Sequence, residues 1–156
     1  NPRHNPPWSI IMQGKLSEAL ALVATIDPQT LASTETFTDV VDMGANSQAI
    51  AILLTGNMAA ETIDFKAYSC DSDGNNAAAI TGRAATQLAA HATNNDAKQV
   101  VINLRDTDLL ASGKQHVKFG FVTGGASGGP VAVTVLATPR QGVGSAADLA
   151  SVVEIV

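Results

Sequence analysis

The sequence predicts an all-β fold, two antiparallel sheets packed as a sandwich, and two observations carry that reading. The first is the alternation of apolar and polar residues between Lys98 and Pro139. Val100, Ile102 and Leu104 oppose Asn103 and Arg105. Val117, Phe119 and Phe121 alternate with Lys118 and Gly120, and Val131, Val133 and Val135 with Ala132 and Thr134. Successive strand side chains point to opposite faces, so a period of two marks a strand with one buried face. The second observation is punctuation by turn residues at Asp27-Pro28, Gly44–Asn46, Asp71–Asn76, Asn94–Asp96 and Gly124–Gly129. Runs and turns at this spacing predict roughly seven to nine strands in a jelly-roll or immunoglobulin-like arrangement.

Residues 1–15 form an extended N-terminal arm in this reading, and 16–156 the sandwich domain. Three of the six prolines lie in the first eight residues. Proline fixes φ and has no N–H, so this stretch is extended and joins no central strand. Pro2, Arg3, Pro6, Pro7 and Trp8 are the candidate interface residues. Trp8, the single tryptophan, would anchor the arm on a neighbouring subunit, since aromatic anchors bury much area for little lost rotamer freedom. A disordered terminus, or Trp8 plugging its own core, are the plainer readings.

Leu16–Ile26 leans to strand, because Leu20, Leu22 and Ala24 alternate and Val23, Thr25 and Ile26 favour β-structure. Asp27-Pro28 is expected to end it. Glu35–Met43 alternates in its first half around Phe37. Gln48–Leu54 sets Ile50, Ile52 and Leu54 on one face and Ala49, Ala51 and Leu53 on the other, an apolar pattern on both sides that suits a strand inside a sheet. Glu61–Ser69 places Ile63, Phe65 and Ala67 inward and Thr62, Asp64, Lys66 and Tyr68 outward. Ala77–Thr93 is ambiguous: alanine favours helix, while Gly82 and the β-branched Ile80, Thr81 and Thr86 oppose it, and a strand-like crossing is preferred over a short helix. The glycine-rich turn Thr123–Gly129 reads as a flexible loop that makes a hairpin of the two strands around it. Near the end, Ser145 caps one helical turn before a terminal strand. The core is expected from Ile50, Ile52, Ile63, Phe65, Val100, Ile102, Leu104, Val117, Phe119, Phe121, Val133 and Val135.

Composition excludes several function classes. At 156 residues the chain is most simply one domain with one core. A net charge of -5 and nine scattered Lys and Arg oppose an electrostatic nucleic-acid binder, which needs clustered cations. The single cysteine, Cys70, excludes an internal disulfide and a cysteine-based zinc cluster, and fits assembly in a reducing cytoplasm. No apolar run is long enough for a membrane helix, and residues 1–8 have no signal-peptide pattern.

No motif points to catalysis. Asp71, Asp73 and Asn75 have calcium-loop spacing, but glycine falls at position four and Gly82 where a bidentate Glu is needed; an Asx-rich turn explains them. Gly124–Gly129 has no following Lys-Ser/Thr and stands before a strand, unlike a phosphate loop. His4, His91 and His116 lie far apart with no His or Cys companion, so no metal site is expected. Asp106 and Asp108 form an i, i+2 carboxylate pair inside a turn. Scattered Ser, His and Asp lack a nucleophile-elbow context. The chain is read as a non-enzyme without cofactor.

From about Val41 to Val156 the layout resembles a family of small structural proteins from tailed-bacteriophage heads. The residues that carry the resemblance are Val41–Gly44, Glu61–Lys66, Ile80–Gly82 with Gln87 and Leu88, Lys98–Arg105, Val117–Phe119 and Ala146–Ser151. Some of that family resemble capsid decoration, or cement, proteins. The resemblance implies a virion component on the capsid surface, made in the bacterial host cytoplasm. Its implied partner is the major capsid protein, and it would act as a homo-oligomer, a trimer or another. It carries over no catalytic residue, nucleic acid or membrane. Two alternatives stand beside it. One is a head-fibre, tail-adaptor or carbohydrate-binding module, disfavoured because such sites use exposed Trp or Tyr and this chain has only Trp8 and Tyr68. The other is a head–tail connector component.

Overall fold

The structure, a computed structural model, describes residues 15–58, 61–88, 97–141 and 152–154. Among the described residues a helical turn, α1 (Leu16–Ala19), leads into nine strands: β1 (Ala21–Leu31), β2 (Thr36–Phe37), β3 (Val41–Asp42), β4 (Asn46–Thr55), β5 (Ile63–Cys70), β6 (Ala78–Ala84), β7 (Gln99–Arg105), β8 (His116–Thr123) and β9 (Gly129–Pro139). They form two antiparallel sheets. One has the order β1-β9-β4-β7; in the other β2 and β3 both pair with β8, followed by β5 and β6. The sandwich is the architecture expected from the alternation.

The core lies between the sheets. Phe65, Phe119 and Phe121 are fully enclosed. The rings of Phe65 and Phe119 stack with centroids 6.2 Å apart, within the range where offset aromatic pairs attract beyond their burial. Opposite them β9 contributes Val131, Val133 and Val135, and β4 contributes Ala49, Ala51 and Leu53. Ala49 and Ala51 belong to the same buried cluster as the phenylalanines, a mixture of large and small side chains that suits close packing.

Several expectations are corrected. Leu16–Ile26 is not one strand: the Lys15 N–H donates to Glu18 Oε2 at 3.2 Å, closing the first turn of α1, the reach-back of an acid at the third helical position. Asp27-Pro28 does not end β1. The register slips between Ile26 and Gln29, and the strand resumes at Gln29↔Val131. A bulge absorbs the extra residues, and the proline is tolerated because β1 is an edge strand. The strands around Thr123–Gly129 are not a hairpin, since β8 and β9 lie in different sheets. Within 77–93 the preferred strand is present at 78–84, with buried Ile80 facing in.

Ile50, Ile52 and Val100 are half-buried rather than core, although Val100 packs against it. In β4 Ala49, Ala51 and Leu53 face inward and the isoleucines outward. Ile63, Phe65, Ile102, Leu104, Val117, Phe119, Phe121, Val133 and Val135 are buried as expected. Residues 152–154 belong to no strand. Ser145 and the N-terminal candidates Pro2, Arg3, Pro6, Pro7 and Trp8 lie outside the described residues.

Candidate functional site

The two outer faces of the sandwich differ in chemistry. The outside of the β8–β5 sheet is polar and fastened to itself. Asp64, Lys66, Tyr68, His116 and Lys118 alternate outward there. The Tyr68 hydroxyl donates to Glu35 Oε1 at 2.6 Å; burial and the adjacent carboxylate push its pKa up to about 12. Phe37 meets Tyr68 edge-on at 5.4 Å, and the Lys118 ammonium lies 3.9 Å over the Phe37 ring while donating to the Gly74 carbonyl at 2.9 Å. Gly120 is required beneath this cluster, because a Cβ there would stand 2.7 Å from Glu35 and 2.8 Å from Phe37.

The middle of the outside of the four-stranded sheet is uncharged and largely apolar. Register places Leu22, Leu136, Ile50 and Asn103 in one row across the strands, and Thr25, Thr134, Ile52 and Val101 in the next. Ala132, Leu54 and Gln99 make a third. Leu54 is 40% exposed and Val101 49%. A sheet packed on one face ordinarily turns polar residues to water on the other. These three rows carry no charged side chain. At one end Gln48 stands between Thr138 and the exposed Arg105. A hollow of about 450 Å³ opens there, lined by Leu20, Ile50, Leu136, Asn103 and Arg105 among others. The bulge at Val23 in β1 turns Leu22 outward while Ala21 and Ala24 stay buried.

A second hollow of about 420 Å³ lies at one end of the sandwich, between Met43, Leu109, exposed Leu110, Lys114 and Arg140. Its charged groups are occupied. Arg140 pairs with Asp106, and Lys114 with Asp71 at 3.2 Å.

The polar residues singled out in the sequence have structural partners. Asp106 and Asp108 do not act as a pair: Asp106 holds Arg140, while Asp108 takes both Nε and Nη2 of Arg83 at 2.9 and 2.7 Å and the Arg105 N–H at 2.8 Å. The Arg83 hydrogen bonds hold the Asp108 carboxyl below its ordinary range. Asp71, Asp73 and Asn75 form an Asx turn, with Asn75 N–H on Asp73 Oδ1 at 3.0 Å and Asn76 Nδ2 on Asp71 Oδ2 at 2.6 Å. His116 stands 4.0 Å from Asp42; His4 and His91 lie outside the described residues. Cys70 is buried, and burial raises its thiol pKa. Among the described residues no cluster of His, Cys, Asp and Glu could hold a metal ion, and no helix is long and apolar enough to cross a membrane.

Two features went unseen in the sequence. One is the apolar outer face: Ile50, Ile52 and Leu54 alternate just as core residues do. The other is Glu61. Its carboxylate accepts the N–H groups of Ser127 at 2.6 Å and Gly128 at 3.0 Å. The loop that passes from one sheet to the other is therefore pinned rather than flexible. Gly128 has φ +53, and a Cβ there would stand 1.7 Å from the Leu31 carbonyl oxygen. The sequence signal was the density of glycines around Ser127, which fits positive φ and close backbone approach.

No protein-family model matches the chain, and no curated protein matches it. Among solved structures it is similar to the crystal structure of the SPBc2 prophage-derived protein YomS, with a TM-score of 0.46 and 12% identity over 76% of this chain and 91% of that one.

Proposed function

We propose that the chain is a non-enzymatic structural subunit of a tailed-bacteriophage particle, decorating the capsid surface and stabilising the shell through subunit–subunit contacts. The observation that carries this reading is the uncharged, largely apolar outer face of Leu22, Leu136, Ile50, Ile52, Leu54 and Val101. Leu54 and Val101 are exposed and the other four half-buried, and apolar area left on a surface in this way marks an interaction site. The partner assigned to this face is the major capsid protein, and the arm from Pro2 to Trp8 would add a second contact on the shell or a sister subunit. The resemblance of Val41–Gly44, Glu61–Lys66, Lys98–Arg105 and Ala146–Ser151 to phage-head structural proteins supports the same assignment. Many copies on a lattice turn individually weak contacts into lasting attachment.

Quantitative mass spectrometry of purified particles tests the reading. Decoration predicts copies in the hundreds, on the order of the shell subunits, because avidity acts copy by copy over the lattice. A dozen or fewer would instead identify a connector or fibre component, and absence from the particle would end the proposal.

A further inference from the structure

We infer that the hollow at the Arg105 end of the uncharged face receives a carboxylate side chain of the shell partner, and that Arg105 is the residue that selects it. This rests on the reading that the outer face of the four-stranded sheet meets the shell, and it names the chemistry the partner must carry there.

The hollow of about 450 Å³ has two kinds of wall. Leu20, Ile50 and Leu136 give it an apolar, half-buried part. The rest is polar and exposed. Thr138, Gln48 and Arg105 are neighbours across β9, β4 and β7, and Asn103 lies two residues before Arg105, on the same face of β7. A hydroxyl, two carboxamides and a guanidinium can all donate hydrogen bonds. The site therefore suits a side chain with an apolar stem and a head that only accepts, which describes an ionised Glu or Asp.

Charge points the same way. Arg105 is the single charged residue in the row Thr138, Gln48, Arg105, and the three rows beyond it carry none. Its backbone N–H donates to Asp108, but that leaves the side chain free. The Asp108 carboxylate is taken by Nε and Nη2 of Arg83, and Asp106 is paired with Arg140. Among the described residues the Arg105 guanidinium forms no ion pair. An unpaired guanidinium fork on an otherwise uncharged face is complementary to a carboxylate, which it can bind through two parallel hydrogen bonds. The apolar rows supply area but discriminate little between apolar partners, so the charge at their end sets specificity and register.

Binding of the full chain to particles stripped of it, measured at several salt concentrations, tests this. Arg105→Gln should weaken binding about tenfold, as loss of a charge pair at an interface does, with a flatter salt dependence and an unchanged melting temperature. Arg105→Lys should recover part of the loss, since it restores the charge without the fork. Gln48→Glu leaves Arg105 in place but sets a carboxylate across the strand from it. It should fill the site from within, weakening binding while the melting temperature holds or rises. Converting the carboxylates of the stripped particles to amides with carbodiimide and glycinamide should weaken wild type to the level of Arg105→Gln and leave that variant where it was. Wild-type affinity in both Arg105→Gln and Gln48→Glu, or amidation that weakens wild type and variant alike, would overturn the inference. Loss of binding by Ile52→Lys with Arg105→Gln unaffected would keep the face and remove the carboxylate site, whereas a wild type that does not rebind at all would remove both.

Discussion

The Glu61 carboxylate accepts the backbone N–H of Gly128 at 3.0 Å across 67 residues of sequence, and the neighbouring Ser127 N–H at 2.6 Å. This one side chain fixes the path by which the chain leaves the β8–β5 sheet and enters the four-stranded sheet whose outer face is the candidate interface. Burial alone would push Glu61 up, but the Thr123 hydroxyl and the N–H groups of Ser127, Gly128 and Gly125 hold it below its ordinary value of 4.5.

The sign of the pH effect follows. A carboxyl whose folded pKa is depressed stabilises the fold at pH above its unfolded value, and that contribution is lost as pH falls through the folded one. Glu61→Gln should lower the melting temperature at pH 7. The gap between variant and wild type should close as the pH is taken below 4.5. Thermal denaturation as a function of pH measures both, and a gap that stays constant into acid would show that Glu61 acts through packing alone.

Gly128 and Gly82 both have positive φ, +53 and +74, but differ in space. At Gly82 nothing lies within 4 Å of where an alanine methyl would stand, so Gly82→Ala should cost only the left-handed penalty of about 1–2 kcal/mol. At Gly128 the same change drives a methyl into the Leu31 carbonyl and should cost clearly more. Equal losses in urea unfolding would mean that the loop relaxes freely.

Phe65 and Phe119 are fully buried and stacked. Truncating either to alanine should destabilise by about 3–5 kcal/mol. Because the rings touch, the double variant should lose measurably less or more than the sum. Denaturant melts of the two single variants and the double variant give the coupling directly.

Removing residues 1–8 separates an interface arm from a core plug. The proposal predicts an unchanged melting temperature with weaker binding to purified capsids. Early melting would place Trp8 in the domain's own core, and unchanged capsid binding would remove the arm from the account.

Alternation made the strands legible, and Ile63–Ala67, Val117–Phe121 and Val131–Val135 sit as their period of two requires. It could not tell which face of β4 was the core, because Ile50, Ile52 and Leu54 are as apolar as Ala49, Ala51 and Leu53. Bulk suggested the isoleucines; the folded sheet turns Ala49, Ala51 and Leu53 to the core instead. The glycine loop after Thr123 read as a hairpin because turn residues mark a change of direction without stating in which sheet the next strand pairs. Asp27-Pro28 read as a stop because the bulge that absorbs it depends on β9. In each case local chemistry was visible and the partner strand was not. The candidate interface was hidden for the same reason, since an outward apolar row looks like a core row until the sheet order is known.

Binding of the shell by the uncharged face around Ile52 can be measured by adding purified protein back to particles stripped of it. Ile52 is half-buried and faces outward between Thr134 and Val101, so Ile52→Lys should leave the fold intact while placing a charge in the middle of the contact. Wild-type protein should rebind to saturation, and the Ile52→Lys variant, folded by circular dichroism, should fail to. Rebinding of the variant at wild-type affinity would show that this face does not meet the shell.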